Sequence, residues 1–210
     1  MVHPPLEPPI VTLSAAPIPA PGLEQLLALA TPLDTCRGMF FNGAFEAVRS
    51  LGGEEARVKC YAAAGEKKYV DFFSYPVADF LKTIFTAAEL LGGPAPGGRS
   101  MVLRQLGRRA TADFLHSTVG RTMMALAGTD PQRLLASFPS GYRASLSYGD
   151  RSVERLGEKQ ARLMARRDFL PLEFNEGVLF AAMEQSTARE LVVRGRQLSP
   201  LDVDYDVSWL

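Results

Sequence analysis

Apolar side chains recur at helical spacing over two stretches of the N-terminal half of the chain. Between Pro76, which suits the first turn of a helix, and Gly92, which suits its end, they trace one continuous face. The positions on this face are Val77, Phe80, Leu81, Ile84, Phe85, Ala88 and Leu91. An earlier helical pattern begins at Arg37, and we expect Gly52 and Gly53 to end it.

The middle of the chain predicts two further helices. A long one is expected from about Ser100 to Leu126, and the preceding segment "GPAPGGRS" is expected to form the turn that leads into it. Residues 130–138 carry an aspartate suited to a helix cap and a proline at the first helical position, so they predict a short helix. Residues 58–73 show no clear period and predict a loop or short helical turns.

After Pro139 the apolar spacing changes from helical to alternating, which is typical of β-strands. Residues 142–148 alternate, a turn at Gly149 and Asp150 follows, and a second strand is expected at 152–156. Alternation resumes after Gly157 as far as about residue 167. Together these segments predict an antiparallel meander.

The last third predicts a helix followed by two strands. Asn175 is expected to cap the helix, and Gly177 is expected to let it lie close to the sheet. Strands are predicted at Leu191–Val193 and at 203–209, where apolar and polar side chains alternate and give the sheet a dry and a wet side. The fold class is therefore α+β, with a helical layer packed on a four- or five-stranded antiparallel sheet.

Prolines separate a tail from a domain. More than half of the chain's 15 prolines lie within residues 1–34, which predicts an extended lead-in with at most a short turn at 23–29. Residues 35–210 are long enough to bury a substantial core and predict a single α+β domain.

Composition narrows the expected partners and compartment. The chain balances 23 basic against 23 acidic residues, so its net charge favours neither nucleic acid nor an anionic membrane. No apolar segment reaches the roughly 18–20 residues that span a bilayer, so membrane insertion is not expected. Two cysteines without metal-binding spacing, and no recognisable signal peptide, indicate a reduced cytoplasmic protein.

Catalytic and metal-binding motifs give little support to an enzyme. His116 is the only histidine outside the tail, and one histidine does not form a metal cluster. The segment at 93–100 has the spacing of a phosphate loop, but Arg99 replaces its lysine and the segment follows a helix. We therefore expect no catalytic residue, metal or cofactor. The alternative is an enzyme with a dispersed site that pairs His116 with Glu173 or Asp71.

Basic side chains on the predicted strands have acidic side chains to face. A phosphate-binding face could be formed by Arg162, Arg166, Arg167, Arg189, Arg194 and Arg196, but the last strand offers Asp202, Asp204 and Asp206. Opposite charges on neighbouring strands neutralise one another, which favours a solvated sheet face over a phosphate-binding one.

Seven aromatic side chains along the N-terminal helices are candidates for the wall of an apolar ligand cavity between the helical layer and the sheet. They are Phe40, Phe41, Phe72, Phe73, Tyr75, Phe80 and Phe85. Aromatic residues at this spacing also fill ordinary cores, so both interpretations stay open. If the cavity exists, we expect Phe40 and Phe41 of "RGMFFNG" on its wall.

Six segments spread along the chain resemble a large paralogous family of myxobacterial proteins that carry a domain of unknown function. These segments are "RGMFFNG", "YVDFFSYPVADFL", "LGRRATADFL", "SGYRASLSYGDRSV", "RRDFLPLEFNEGVLFAAM" and "DVDYDVSW". The resemblance covers residues 35–209 and implies no established activity.

The order of the predicted elements, with "EGVLFAAM" as a local signature, also resembles the vinyl-reductase-like and haem-NO-binding superfamily. That resemblance implies helices packed against an antiparallel sheet, with ligands or protein partners bound in the space between. The haem-binding motifs of that superfamily are not found in this sequence. Thr122 stands near the place of the expected proximal histidine, and Tyr148 and Arg151 lack the Tyr-x-Ser-x-Arg spacing of the propionate clamp.

These features indicate a non-catalytic cytoplasmic sensor or adaptor domain that binds a small apolar ligand, a protein partner, or both. A homodimeric scaffold that uses exposed helix faces is a further alternative, alongside the enzyme with a dispersed site.

Overall fold

The computed structural model describes residues 18–210, and residues 1–17 of the predicted tail lie outside this range. Seven helices lie within it: α1 (Leu23–Leu29), α2 (Gly38–Ala63), α3 (Val77–Gly92), α4 (Gly98–His116), α5 (Thr118–Ala127), α6 (Pro131–Ser145) and α7 (Leu172–Met183). Six strands complete it: β1 (Thr35–Arg37), β2 (Ser74–Pro76), β3 (Asp150–Gly157), β4 (Gln160–Arg166), β5 (Val192–Ser199) and β6 (Asp202–Ser208).

The main sheet has four antiparallel strands in the order β3-β4-β6-β5. Alternate side chains of the two central strands are buried beneath the helices, as their period of two predicts. They are Ala161, Leu163, Ala165, Val203, Tyr205 and Val207. A short second sheet pairs β1 with β2. The predicted fold class, a helical layer on a four- or five-stranded antiparallel sheet, is confirmed with four strands.

The outer face of the sheet carries the predicted charge pairs. Arg162 Nε lies 2.7 Å from Asp206 Oδ1, across the β4-β6 register. Arg166 and Arg196 reach Asp204 from either side, with N···O distances of 2.8 and 3.3 Å. The exposed Arg162–Asp206 pair contributes little to stability, whereas the Asp204 side chain is only 9% exposed between its two arginines. Together the pairs compensate charge across this face.

Helices α4 and α7 approach each other backbone to backbone. A Cβ atom built at Gly107 would lie 1.9 Å from the Phe174 carbonyl oxygen, and one at Gly177 would lie 2.1 Å from that of Arg104. The prediction that Gly177 approaches the sheet is therefore wrong. Its missing side chain makes room for α4, and the two glycines together set the separation of the helix pair.

Helix α3 follows its apolar pattern closely. Val77, Phe80 and Ile84 are all at most 1% exposed, and the helix ends at Gly92 as predicted. Gly93 then adopts a φ of 59°, which lets the chain leave the helix. Residues 93–97 turn directly into α4, which confirms the expected helix-to-helix turn.

Two predicted helix boundaries are wrong because small residues bend the chain there. The first helical pattern does not end at Gly52 and Gly53. It kinks at Gly53, where φ is 79° and ψ is −177°, and α2 then continues to Ala63 through part of the region expected to be a loop. The long helix expected from Ser100 instead breaks at Ser117, whose Oγ accepts a bond from the Gly120 N–H and caps α5.

The strand predicted at 142–148 is helical as far as Ser145. Leu134, Phe138 and Tyr142 stand four residues apart and so face the same side of α6, which outweighs the short alternation after Pro139. Proline within a helix removes one backbone hydrogen bond, and α6 accommodates this loss because its inner face is buried.

The lead-in to the domain packs on the core. Leu26 of α1 is 1% exposed. Asp34 binds Arg167 through two oxygens, at 2.6 and 2.9 Å. Burial alone raises the pKa of Asp34, but the bonds from Arg167 and Thr31 outweigh it and hold the pKa below its usual value.

Within residues 18–210 no helix is both long and apolar enough to cross a membrane. Cys36 and Cys60 are buried free thiols.

Replacing Gly107 with alanine tests the close contact of α4 and α7. The added methyl group meets backbone that cannot move independently, so we expect a loss of about 3 kcal/mol in the free energy of unfolding. Urea denaturation measures it. The matched control is Gly141→Ala on α6, where the nearest atom is the flexible end of Met123 at 3.1 Å. We expect that change to stay within about 1 kcal/mol, and equal stabilities of the two variants would contradict the packing argument.

Candidate functional site

An apolar cavity of about 100 Å³ lies inside the helical layer. Helices α2 to α7 all contribute to its wall, together with Cys36 of β1 and residues on either side of the main sheet's first hairpin. Five phenylalanines form much of this wall: Phe40, Phe80, Phe114, Phe138 and Phe174. The predicted location between helices and sheet is wrong, because Leu179 and Met183 of α7 fill the space above the sheet.

The seven predicted aromatic residues separate into four groups. Phe40 and Phe80 lie on the cavity wall. Phe41 is fully buried behind them. Its ring stacks on that of Tyr69 at 4.0 Å and lies edge-on to that of Tyr75 at 5.9 Å, so the predicted residues Phe41 and Tyr75 belong to the packed core.

The other three predicted residues lie away from the cavity. Phe72 and Phe73 are 71% and 63% exposed, because the loop before β2 turns them towards solvent. Phe85 is buried beside a separate surface depression near Leu103 and Pro171.

Sequence reasoning missed the part of the wall built by α5 and α6. Met123 and Met124 form one side of it, and Leu134 and Phe138 form another. The four-residue spacing from Leu134 through Phe138 to Tyr142 was the signal for this second set, but the strand prediction obscured it. The methionines carried no comparable pattern, because only their packing against α4 and α6 turns them inward.

Three polar side chains on the cavity wall are already satisfied internally. The Thr111 hydroxyl bonds the Gly107 carbonyl at 3.1 Å, and the Ser137 hydroxyl bonds that of Leu134 at 2.7 Å. The Tyr142 hydroxyl donates to Asn175 Oδ1 at 2.8 Å. No Lys, Arg, Asp or Glu among the described residues lines the cavity.

A buried polar network lies directly behind Tyr142. Asn175 Nδ2 donates to Asp168 Oδ2 at 3.0 Å, and Asp168 Oδ1 lies 2.9 Å from Arg151 Nη2. Asn175 is therefore not the predicted helix cap, since α7 begins three residues earlier at Leu172 and Asn175 is 1% exposed. Its amide instead joins the cavity wall to the ion pair.

Aromatic rings surround the arginine of this network. The Arg151 guanidinium carbon lies 4.7 Å from the centre of the Tyr142 ring and 5.5 Å from that of Tyr148. Arg151 Nη1 also donates to the Tyr148 carbonyl at 2.7 Å. The buried hydroxyls of Tyr148 and Tyr205 have no hydrogen-bond partner among residues 18–210. The network is held by its one ion pair, by the hydrogen bonds that join Tyr142, Asn175 and Asp168, and by ring contacts.

Burial keeps the titratable groups around the cavity neutral. It raises the pKa of the Cys36 thiol well above its usual range, and the charge of Asp79 raises it further. It likewise raises the pKa of the Tyr142 hydroxyl, where the effect of Asp168 adds to burial and that of Arg151 opposes it. The cavity therefore presents no charged group at physiological pH.

The residues proposed for a dispersed active site are not joined. Glu173 accepts a hydrogen bond from Ser100 near the start of α4, whereas His116 is the last residue of that helix. Ser100 and His116 are sixteen residues apart in α4, which places them about 24 Å apart along the helix axis. Glu173, bonded to Ser100, is therefore far from His116. Asp71 bonds Asn42, and His116 Nδ1 contacts the Ala112 carbonyl. Across residues 18–210 no three His, Cys, Asp or Glu side chains are grouped to hold a metal ion.

Comparison with solved structures identifies the fold as that of H-NOX domains. An H-NOX protein from S. oneidensis in the Fe(II)NO ligation state superposes with a TM-score of 0.68 at 13% identity, covering 83% of this chain and 99% of its own. The Fe(II) unliganded H-NOX protein from K. algicida gives 0.66 at 14%, with 83% and 96% covered. An oxygen-binding H-NOX domain related to soluble guanylate cyclases gives 0.59 at 11%, with 81% and 92% covered.

The chain itself belongs to the family of proteins of unknown function DUF2378, whose model matches residues 29–210. This confirms the resemblance to a family with a domain of unknown function, and the fold confirms the more distant likeness to haem-NO-binding proteins. A comparison with curated protein sequences finds no match.

The residues of the cavity do not suit a haem. Haem iron takes a histidine, thiolate, methionine or phenolate ligand. His116 is exposed on the end of α4, and Thr122 points away from the cavity and bonds the Thr118 carbonyl. Met123 and Met124 line the cavity and carry a possible sulfur ligand, but no histidine among the described residues does. No cation lines the cavity to meet the propionates, because Arg151 is buried against Asp168.

Haem reconstitution tests this conclusion. We expect the purified protein, incubated with haemin under reducing conditions and desalted, to retain no stoichiometric haem, because within residues 18–210 the cavity wall has no histidine for the iron and no cation for the propionates. An absorption spectrum before and after desalting measures it. A retained Soret band at one haem per chain would contradict the assignment.

The variant Asp168→Asn tests the buried network. Both side chains of the Arg151–Asp168 pair are at most 2% exposed, so removing the carboxylate charge leaves a buried cation without compensation. We expect a loss of about 3–5 kcal/mol in the free energy of unfolding, measured by urea denaturation.

The matched control for this change is Asp206→Asn, which breaks the Arg162 pair on the outer sheet face, where the two side chains are 42% and 28% exposed. Its cost should stay below about 1 kcal/mol. Similar losses for the two variants would show that burial of the pair has no special role.

Proposed function

We propose that this protein is a sensor or adaptor domain that reversibly binds a small, uncharged, apolar molecule in the cavity inside its helical layer. The observation that carries the proposal is a wall made of aromatic and aliphatic side chains with its polar groups turned into internal hydrogen bonds. H-NOX structures share the fold, and some are described with NO or oxygen bound, which supports a ligand-sensing role. The free buried thiols suit a reducing compartment such as the cytoplasm.

The chemistry of the cavity favours a neutral ligand. An empty apolar cavity of about 150 Å³ stays dry and binds molecules such as benzene or xenon, and the present one is of comparable size and character. A charged ligand entering it would lose its hydration without gaining a partner. A small apolar molecule instead restores the dispersion contacts that the wall lacks.

The position of the cavity supports a sensing role. Met123 and Met124 on the inner side of α5 touch the cavity, while Val119 and Leu126 on the outer side are 47% and 81% exposed. Helix α5 packs on α4 and α6. Occupancy of the cavity therefore acts on one side of a helix whose other side is presented to solvent.

A protein partner is the second candidate function, favoured by a different surface. Val70, Phe72 and Phe73 are 40%, 71% and 63% exposed on the loop that precedes β2. Adjacent exposed aromatic side chains are typical of protein-interaction sites. If the protein acts as an adaptor, this is the surface at which we expect the partner to bind.

Filling the cavity tests the proposed function. Ala110 of α4 lies on the wall and is 4% exposed, so the larger side chain of Ala110→Leu extends into the empty space. Benzene at ten times its dissociation constant should stabilise the wild-type protein by about 1.4 kcal/mol, and this gain should disappear in the variant. Thermal unfolding with and without benzene measures it.

The matched control is Ala136→Leu, which makes the same change at an exposed position of α6. It should keep the full stabilisation by benzene. A wild-type protein that benzene does not stabilise, or an Ala110→Leu variant that it stabilises equally, would contradict ligand binding at this cavity.

A further inference from the structure

Ser145 is a polar residue on the cavity wall that makes no side-chain hydrogen bond. It is the last residue of α6, it is 8% exposed, and it is one of the residues that line the cavity. Among residues 18–210 its hydroxyl has no partner, whereas those of Thr111, Ser137 and Tyr142 each have one. Ser145 therefore differs from the other hydroxyl-bearing residues of the wall.

An unused hydroxyl at this position is unusual because a local partner is within easy reach. Serine in a helix commonly bonds the carbonyl three or four residues earlier, and Ser137 on the same helix does so with Leu134. The corresponding carbonyl of Tyr142 accepts the N–H of Leu146 and no bond from the Ser145 hydroxyl. The Ser145 hydroxyl is not sealed from solvent, so it is available to bond a polar group of a ligand in the cavity.

We infer that the ligand is a small ring or short chain that carries one hydroxyl or carbonyl group, and that Ser145 recognises this group. The inference rests on the proposed function and narrows its ligand class. The hydroxyl of Ser145 both donates and accepts, so it serves an alcohol or phenol as well as a ketone or aldehyde. Carboxylates and amines are excluded, since the surrounding wall offers no counter-charge.

Because of its surroundings, Ser145 would select ligands that carry one polar group. Phe40, Phe80 and Phe174 also line the cavity, and their side chains contact any ligand through apolar atoms alone. A ligand with a single polar group then has one favourable orientation, with that group towards the end of α6. An entirely apolar ligand of the same size has no such preference.

Benzene and phenol distinguish binding in the cavity from recognition by Ser145, because they share a ring and differ by one hydroxyl. Their dissociation constants are measured by NMR titration for the wild-type protein and for Ser145→Ala. We expect the variant to bind phenol about fivefold more weakly, the effect of one neutral hydrogen bond, and benzene within about twofold of wild type. Ser140→Ala, at an exposed position of the same helix, is the matched control and should change neither constant.

Other results of these titrations would contradict either the role of Ser145 or the proposed function. Equal weakening of phenol and benzene, or none for either, overturns the role of Ser145 while leaving the cavity as a binding site. Failure of both probes to bind the wild-type protein contradicts the proposed function and removes the inference with it.

The melting temperature supplies an independent readout. Ser145→Ala removes no internal bond, so the melting temperature should stay the same or rise. A clear fall would show that the hydroxyl serves the fold and overturn the inference.

Discussion

The backbone contact between α4 and α7 determines where the rest of the helical layer lies. Gly107 and Gly177 each meet a carbonyl of the facing helix, so the pair cannot come closer and has no side chain to hold it apart. Helix α7 also covers the sheet through Leu179 and Met183. The contact thus fixes α4 relative to the sheet, and it sets Ala110 on one helix and Val178 on the other as walls of the cavity.

The cavity and the polar network are two consequences of the same packing. Tyr142 presents its ring to the cavity and its hydroxyl to Asn175, whose amide continues to the buried Arg151–Asp168 pair. The Tyr142 ring thereby separates the Arg151–Asp168 pair from the cavity. The H-NOX fold supplies the architecture, but the side chains inside it differ in chemistry from a haem site, which shows again that a fold does not determine a function.

Sequence reasoning succeeded where one period dominates a whole element. The apolar face of α3 and the alternation of β6 each extend over several residues, so both were predictable. It failed where tertiary contacts decide. Tyr142 is helical because α6 buries its neighbours on one face, and Asn175 is buried because Asp168 and Tyr142 hold its amide. The cavity itself arises from the relative placement of six helices, which no local pattern encodes, so only Phe40 and Phe80 of its wall were anticipated.

We propose that the apolar cavity within the helical layer takes up a neutral molecule. A crystal structure of the protein under xenon pressure tests it most directly, because xenon enters apolar cavities and is located by its anomalous scattering. We expect a xenon atom within contact distance of Phe40, Phe80 and Phe174. A cavity without xenon, or one filled by ordered water, would contradict it.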